Sequence, residues 1–450
     1  MNLKNIHNVY FIGIGGVGMS ALAKFFAAAG KAVGGYDKTA SSITAALVEL
    51  GIDTQFDTDI DTIDEQFMDS RNTLIVFTPA ISESNSVLQY FKTHNFQILK
   101  RSEVLGLVTA HTQCLAIAGT HGKTTTSSIL GHLMYQCNEK VTAFIGGISE
   151  NYQSNLIQNG TEISVVEADE FDRSFLTLSP DFACITSMDA DHLDIYKSEA
   201  DLVETFKEFT HNIKPTGKLF IRKGLPLEGI TYAVNEAADY SAKNIRIDNG
   251  SYQFDIQTPT GLIKNLVFHL PGTHNISNAL AAMAMALEFG CDTAVLKLAL
   301  QSYRGVKRRF TYQIKTEAFV FIDDYAHHPT EINAVHQAVR EMYPNQKVAV
   351  VFQPHLYSRT QDFADEFAES LSQFEATFLL EIYPARERPI PGVTSSWLLE
   401  KIESPIKQVI SKSEIVGEIK NLGYPIFLTL GAGDIGVEVS ELKEKLSYAY

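Results

Sequence analysis

"AGTHGKTTT", residues 118–126, follows the apolar run "CLAIA" and opens into "TTSSILGHLM", where Ile129, Leu130, Leu133 and Met134 recur at helical spacing. A strand, a glycine-bracketed turn and a helix in that order leave backbone N–H groups pointing at one place. That arrangement surrounds phosphate oxygens. Gly119, Thr120, His121, Gly122, Lys123, Thr124 and Thr125 are therefore the candidate ATP-binding residues. Lys123 would bring a point charge to the β- and γ-phosphates, and the Thr124 hydroxyl is a ligand for Mg²⁺. The loop is shorter than a full Walker sequence, since Ile117 stands where that motif has its first glycine. Its setting between strand and helix still makes ATP the expected ligand.

A metal bound to triphosphate needs further oxygen donors. "VVEADEFD" supplies Glu167, Asp169, Glu170 and Asp172 at the end of a predicted strand. Alternation puts Glu167 and Asp169 on one face if the extended geometry persists that far. Mg²⁺ takes one or two protein carboxylates and keeps waters, so one acid suffices and the others are expected to be solvated. In "MDADHLDIY", His192 stands among Asp189, Asp191 and Asp194, just beyond the strand "FACITS". Parallel sheets bind ligands at that end of a strand, although a lone histidine is more often structural.

The chain carries a second cradle. In "GIGGVG", Gly13, Gly15 and Gly18 fit G-x-G-x-x-G between a strand and a helix, and Asp37 closes the next strand. Gly15, Gly16, Val17, Gly18 and Asp37 are candidates for a nucleotide diphosphate, and an NAD-dependent dehydrogenase remains open from these residues alone. Strand-then-helix alternation runs through most of the 450 residues and implies parallel sheets covered by helices. It divides into three α/β units, residues 1–107, 108–312 and 313–450. Residues from about 218 to 270 read only as short strand-like pieces.

Composition narrows the function classes. Apolar residues at 45% and charged ones at 20% describe a soluble globular chain. A formal charge of −16 argues against a nucleic-acid partner, so anionic nucleotides must be held by local loops, helix ends and metal. No apolar run is long enough for a membrane span, and the N-terminus lacks the layout of a signal peptide. Cys114, Cys137, Cys184 and Cys291 are widely spaced and fit reduced thiols in a cytosolic protein.

"FIDDYAHHPTEI" sets Asp323 and Asp324 after an apolar strand, with Pro329 suited to a first helical turn. Tyr325, His327 and His328 then lie on a strand-to-helix loop, where two histidines and two aspartates also suggest a metal site. "GTHNISN" fits a helix start with Asn275 and Asn278 on one face. Arg309 ends "VKRRF", and "GAGDIG" (Gly431–Gly436) reads as a tight turn packing strand on helix.

Taken in order, "GTHGKTTT", "VVEADE", "DADHLDIY", "GTHNISNALAA", "VKRRF", "DDYAHHPTEI" and "GAGDIG" resemble the Mur ligases of bacterial peptidoglycan synthesis, over about residues 8 to 437. The resemblance implies a Rossmann-like N-terminal domain for a UDP-sugar, a central P-loop domain for ATP and a C-terminal Rossmann-like domain for an amino acid. It implies ATP and Mg²⁺ as cofactors, and UDP-N-acetylmuramate and L-alanine as substrates of a monomer or homodimer. The lactyl carboxylate would attack the γ-phosphate, and the amine would then displace phosphate from the acyl phosphate. Lys123, His192 and Arg309 would be catalytic. Thr124 and Glu167 would hold one Mg²⁺, and Glu167 with His192 a second. His274, Asn275 and Asn278 would face adenine, Asp324 and Arg309 would contact ATP, and Tyr325, His327, His328 and Arg359 the amino acid. Leu356 stands where many relatives have arginine and Ser187 where others have asparagine, while Lys207 does not align with the carbamylated lysine of some members. A recycling ligase adding a tripeptide is the nearest rival. The dehydrogenase and a nucleotide-gated binding protein are more distant ones.

Overall fold

Each strand run read from the sequence forms, and three sheets collect them. The computed structural model describes residues 3–189, 196, 198–248, 250–385 and 387–447. The first sheet holds β1 (Asn8–Ile12), β2 (Ala32–Tyr36), β3 (Asp53–Gln55), β4 (Thr73–Phe77) and β5 (Gln97–Lys100), in the order β3-β2-β1-β4-β5 and all parallel. β1 is buried from Val9 to Ile12, as expected of a strand covered on both faces. The chain reverses direction across the sheet between β1 and β4, the kind of crevice in which open α/β sheets bind ligands. The helix Val17–Ala28 leaves β1 through the glycine cluster and is closed by Gly30 at φ +76°.

Ten strands form the second sheet: β6 (Gln113–Ala118), β7 (Val141–Ser149), β8 (Ser154–Gln158), β9 (Ile163–Glu167), β10 (Phe182–Ile185), β11 (Lys218–Arg222), β12 (Ile230–Val234), β13 (Tyr240–Asp248), β14 (Ser251–Thr258) and β15 (Gly261–Phe268). The order is β15-β14-β13-β12-β11-β10-β6-β9-β7-β8. β6 lies between β10 and β9, so the "GTHGKT" loop leaves the sheet with an acid-bearing strand on one side. The short pieces after residue 218 are β11 to β15, which extend this sheet instead of forming loops. Strict alternation of buried and half-buried residues along β14 gives it one face toward the interior.

The third sheet runs β16 (Thr311–Lys315), β17 (Val320–Asp324), β21 (Ile426–Leu430), β18 (Val348–Phe352), β19 (Ala376–Leu379), β20 (Ile406–Val409), with only β16 antiparallel. After β17, His328 caps the helix Pro329–Met342 and Pro329 takes its first position. "GAGDIG" is the expected tight turn. Gln353 accepts from Ile435 N–H at 2.8 Å and donates to Asp434 at 2.7 Å, while a Cβ on Gly431 would sit 2.7 Å from Gln353 O.

Chain contacts group the residues into two compact units, Met1–Asn244 with Phe254–Val267 and Ser277–Arg304, and Ile245–Gln253 with Phe268–Ile276 and Gly305–Tyr450. The first unit holds the whole first sheet. There one apolar core continues from Phe11, Leu22 and Phe26 to Ala116, Val166 and Ile185. Polar clasps reinforce it: Asn155 Nδ2 donates to Val17 O (2.6 Å) and Ser20 Oγ (2.8 Å), and Lys24 Nζ donates to Asn155 Oδ1 (2.9 Å). The four cysteines are free thiols. No helix among the described residues is long and apolar enough to cross a membrane.

The helix Lys123–Gln136 is buried along nearly its whole length, including His132. The His132 ring bridges Tyr152 OH (2.8 Å), Ala299 O (3.0 Å) and Ser302 Oγ (3.0 Å), and burial pushes its pKa down to about 4. Between roughly pH 6.5 and that value the unfolded chain takes up a proton that the folded chain refuses, so stability is lost as pH falls through this window. His132→Gln should lower the melting temperature at pH 7.5, with about 1–3 kcal/mol lost. The gap to wild type should close on moving to pH 4.5, and a gap independent of pH in thermal melts would contradict this.

Candidate active site

The turn after β6 is built so that Lys123 begins the helix and faces inward. Gly119 (φ +125°) and Gly122 (φ +84°) hold backbone conformations that side chains disfavour. A Cβ on Gly122 would also lie 2.6 Å from Asn278 Oδ1, so Asn278 flanks this loop as expected of an ATP-site residue. Ser187, the departure from asparagine, turns out to brace the turn. Its hydroxyl accepts the His121 N–H at 2.8 Å and meets the Thr120 hydroxyl at 2.9 Å, and its carbonyl accepts Thr120 N–H at 3.3 Å.

Lys123 Nζ donates to Gly119 O (2.7 Å) and to Glu170 Oε1 (2.9 Å). Glu170 is completely buried, which corrects the expectation that the acids beyond the first are solvated. The reason is that β9 ends at Glu167, and the chain then turns into the short 3₁₀ segment Phe171–Thr177 instead of continuing as a strand. That turn aims Glu170 at the lysine. Asp172 does stay exposed, paired with Lys100 at 3.0 Å. Burial pulls the Lys123 ammonium down, but Glu170, Asp169 and Glu167 outweigh it and keep its pKa above the ordinary lysine range. The ammonium is thus permanently charged.

Thr124 Oγ1 lies 3.0 Å from both carboxylate oxygens of Glu167, and Gly146 N–H donates to Glu167 Oε2 at 3.0 Å. A neighbouring hydroxyl and carboxylate are hard oxygen donors of the kind Mg²⁺ prefers, and a small set of protein oxygens suits an ion that keeps its water. These residues fit the metal. His192, together with Asp191 and Asp194, lies outside the described residues. Lys207 is half-exposed and pairs with Glu204 at 3.3 Å.

At the first cradle, Asp37 braces the glycine loop. Its Oδ2 accepts the Gly15 N–H at 2.8 Å and so fixes the turn. Gly13, Ile14 and Gly16 N–H groups bond to Tyr36 O, Tyr36 O and Gly13 O. Open donors remain at Val17, Gly18 and Met19, the first helical positions.

In the second compact unit, Asp324 accepts Phe310 N–H (2.6 Å) and Ala326 N–H (2.7 Å), and burial pushes it up to about 6 against the pull of Arg309. Asp323 is buried and engaged by Arg308 (3.1 Å) and Thr429 (2.8 Å), a structural role. Arg309 sits 3.7 Å from Glu331 and 5.2 Å from the Tyr325 ring centroid. His328 is occupied as the helix cap, its Nδ1 accepting Thr330 N–H at 3.3 Å. His327 is bound by Tyr325 O (3.0 Å) and lies 3.2 Å from Glu331, and burial holds its imidazole below the usual histidine range. Arg359 is buried on the helix Tyr357–Asp362, after Leu356 at φ +71°. Asn275 donates to Pro271 O at 2.6 Å, and His274 is exposed at the same helix start. Among the described residues no three histidine, cysteine or acidic side chains converge on a metal site, so the metal reading of "DDYAHH" falls.

Family descriptions match in three consecutive blocks: "Mur ligase family, catalytic domain" over residues 8–113, "Mur ligase middle domain" over 117–286 and "Mur ligase, glutamate ligase domain" over 308–433. The chain is 57% identical to the UDP-N-acetylmuramate–L-alanine ligase of Flavobacterium johnsoniae over 447 residues, covering 99% of both. This chain belongs to the Mur ligase family. It is therefore an ATP-dependent ligase of three-domain α/β architecture. The same-named enzyme of Parabacteroides distasonis is 46% identical, covering 99% of this chain and 98% of that one. Among solved structures, a UDP-N-acetylmuramate–alanine ligase from Thermotoga maritima superposes with TM-score 0.82 at 26% identity, covering 98% of this chain and all of the other. A murein peptide ligase from Psychrobacter arcticus gives 0.69 at 21% identity, covering 98% of each chain, and shares the fold.

For this Mur ligase, Gly146 is a site residue that sequence reading missed, because only its strand-to-strand placement beside Glu167 reveals it. A Cβ there would fall 2.2 Å from Glu167 Oε2. Gly146→Ala should therefore displace that carboxylate and lower ligation roughly 10–100-fold, in line with lost support of a metal ligand. Steady-state ADP release at saturating ATP, with the melting temperature as a fold control, measures it.

Proposed function

We propose that this Mur ligase joins L-alanine to the lactyl carboxylate of UDP-N-acetylmuramate, forming an amide and releasing ADP and phosphate, in peptidoglycan synthesis. The observation that carries the reading is the convergence of Lys123, Thr124, Glu167 and Glu170 at the end of β6 and β9, in a chain 57% identical to ligases of that name. A carboxylate is a poor electrophile, so phosphorylation must precede attack by the amine. Positioning and charge neutralisation supply most of that catalysis.

Lys123 would exchange the Gly119 carbonyl for β- and γ-phosphate oxygens. Mg²⁺, held by Thr124 and Glu167, would neutralise triphosphate charge. Glu170 would remain beside Lys123 and keep its ammonium aligned. Val17 and Gly18 N–H groups would take the sugar-nucleotide diphosphate. Of the two histidines assigned to the amino acid, His327 is the better placed, because His328 is committed to capping its helix. Burial holds the His327 imidazole below the usual histidine range, so an uncharged ring would stand beside the alanine amine and position it. Arg359 would pair with the amino-acid carboxylate. ATP and free thiols fit a cytoplasmic location.

The tripeptide-adding alternative shares the fold, and a solved UDP-N-acetylmuramate:L-alanyl-γ-D-glutamyl-meso-diaminopimelate ligase stands at 24% identity. Purified protein offered ATP, Mg²⁺ and UDP-N-acetylmuramate, with L-alanine or tripeptide in separate reactions, should turn over with alanine. Faster turnover with tripeptide would overturn the assignment. Lys123→Ala should reduce amide formation by about 10³-fold or more while UDP-sugar binding stays near wild type, since the loss falls on transition-state charge. Near-normal product formation by that variant would refute the role given to the lysine.

A further inference from the structure

Two of the four thiols meet. Cys137 ends the helix Lys123–Gln136, and Cys291 follows the helix Thr273–Phe289, both within the first compact unit. Met134 lies one turn before Cys137 on the same face, and the Cys291 sulfur is 3.7 Å from the Met134 sulfur. Cys291 also donates its S–H to the Cys137 sulfur. That bond holds the Cys137 thiol below its usual range, against burial, Glu139 and Asp292, and leaves the Cys291 thiol raised.

The other two thiols make the contrast. Cys114 and Cys184 are completely buried in β6 and β10, and burial pushes each up to about 12. Such thiols are inert. Cys137 is half-buried and Cys291 is 8% exposed, so a small solute meets Cys137 first, with the second sulfur beside it. The backbone can yield here, because both cysteines lie in the turns where Asn138 (φ +59°) and Gly290 (φ +108°) close the two helices.

The same two helices approach each other again at the ATP loop. Asn278, near the start of Thr273–Phe289, is so close to Gly122 that a Cβ there would lie 2.6 Å from its Oδ1, and Lys123 is the next residue. An S–S bond of about 2.05 Å is far shorter than a hydrogen bond between sulfurs, so forming one draws the distal helix ends together. Rigid, packed helices carry such a shift along their length.

We propose that Cys137 and Cys291 form a reversible disulfide, a modification site through which a hydroperoxide slows this ligase. The Cys137 sulfur attacks one peroxide oxygen, the O–O bond breaks, water leaves and a sulfenic acid remains. The Cys291 sulfur then attacks the Cys137 sulfur, the S–O bond breaks and a second water carries off the oxygen. The two thiols together lose two electrons and two protons, and hydrogen peroxide is reduced to water. A small dithiol reverses the step by exchange. Disulfides of reducing compartments are of this transient kind.

Full-length protein, reduced, then treated with hydrogen peroxide and alkylated, tests this by peptide mass spectrometry without reduction, beside steady-state ADP release with UDP-N-acetylmuramate and L-alanine. A linked peptide pair carrying Cys137 and Cys291 should appear, ADP release should fall roughly 10-fold, and dithiothreitol should restore it. Cys137→Ser and Cys291→Ser should each keep wild-type turnover and melting temperature before treatment and lose the response to peroxide. Absence of the linked pair from treated wild type, a result that needs no variant to fold, would overturn the proposal. So would a linked pair formed with unchanged ADP release. A loss that dithiothreitol does not reverse also overturns it, by placing the damage on Met134 sulfoxide or over-oxidised cysteine.

Discussion

The central sheet is organised around one buried charge. Lys123 starts a helix whose next four residues are buried, and its ammonium ends beside the fully buried Glu170. Removing one member of such a pair strands the other, at a cost of about 3–5 kcal/mol, whereas the intact pair contributes little to stability by itself. Its purpose is best understood as positional. The ammonium is kept charged and dehydrated at the mouth of a helix, where a polyphosphate can replace the loop carbonyl as its partner. The order β10-β6-β9 follows from the same need, because only a strand adjacent to β6 can deliver Glu167 to Thr124 and Glu170 to Lys123.

The two cradles solve the same problem by different routes. Around the second, the cation lies within the loop's own helix, and hydroxyls of Ser187 and Thr120 hold the backbone so that the first-turn donors stay aimed. Around the first, Asp37 occupies Gly15 N–H and turns the loop so that only the helical donors face outward. An aspartate there subtracts from the local positive potential. The Arg101 side chain, from a helix eighty residues on, passes over Gly18.

Local chemistry was legible in the sequence. The glycine turns, the apolar strand runs, Gly30 and Gly290 as helix stops and Pro329 at a first helical position all act over a few residues. Pairing across distance was not. Nothing in "VVEADEFD" says that β9 stops at Glu167, and it is that stop which buries Glu170 and leaves Asp172 outside. The pieces read as short strands after residue 218 include β13, β14 and β15 at 9, 8 and 8 residues, whose polar exposed positions broke up the apolar pattern by which strand length is read. Gly146 carries no motif, and its meaning comes from a neighbour about twenty residues away.

The third sheet shows how far a motif can mislead when its residues are chemically versatile. "DDYAHHP" contains two acids and two histidines within six residues, which on composition alone also suggests a metal site. The fold separates the four. Asp323 turns inward to Arg308 and Thr429, and Asp324 accepts two backbone N–H groups. His328 caps the helix behind it, and His327 is drawn to Glu331. Three of the four are thus employed in shaping the strand-to-helix loop, and each has its side chain committed within the protein. His327 is half-buried between Tyr325 and Glu331, and burial holds its ring below the usual histidine range. Residues that look most reactive in this stretch of sequence are thus largely engaged in shaping the loop.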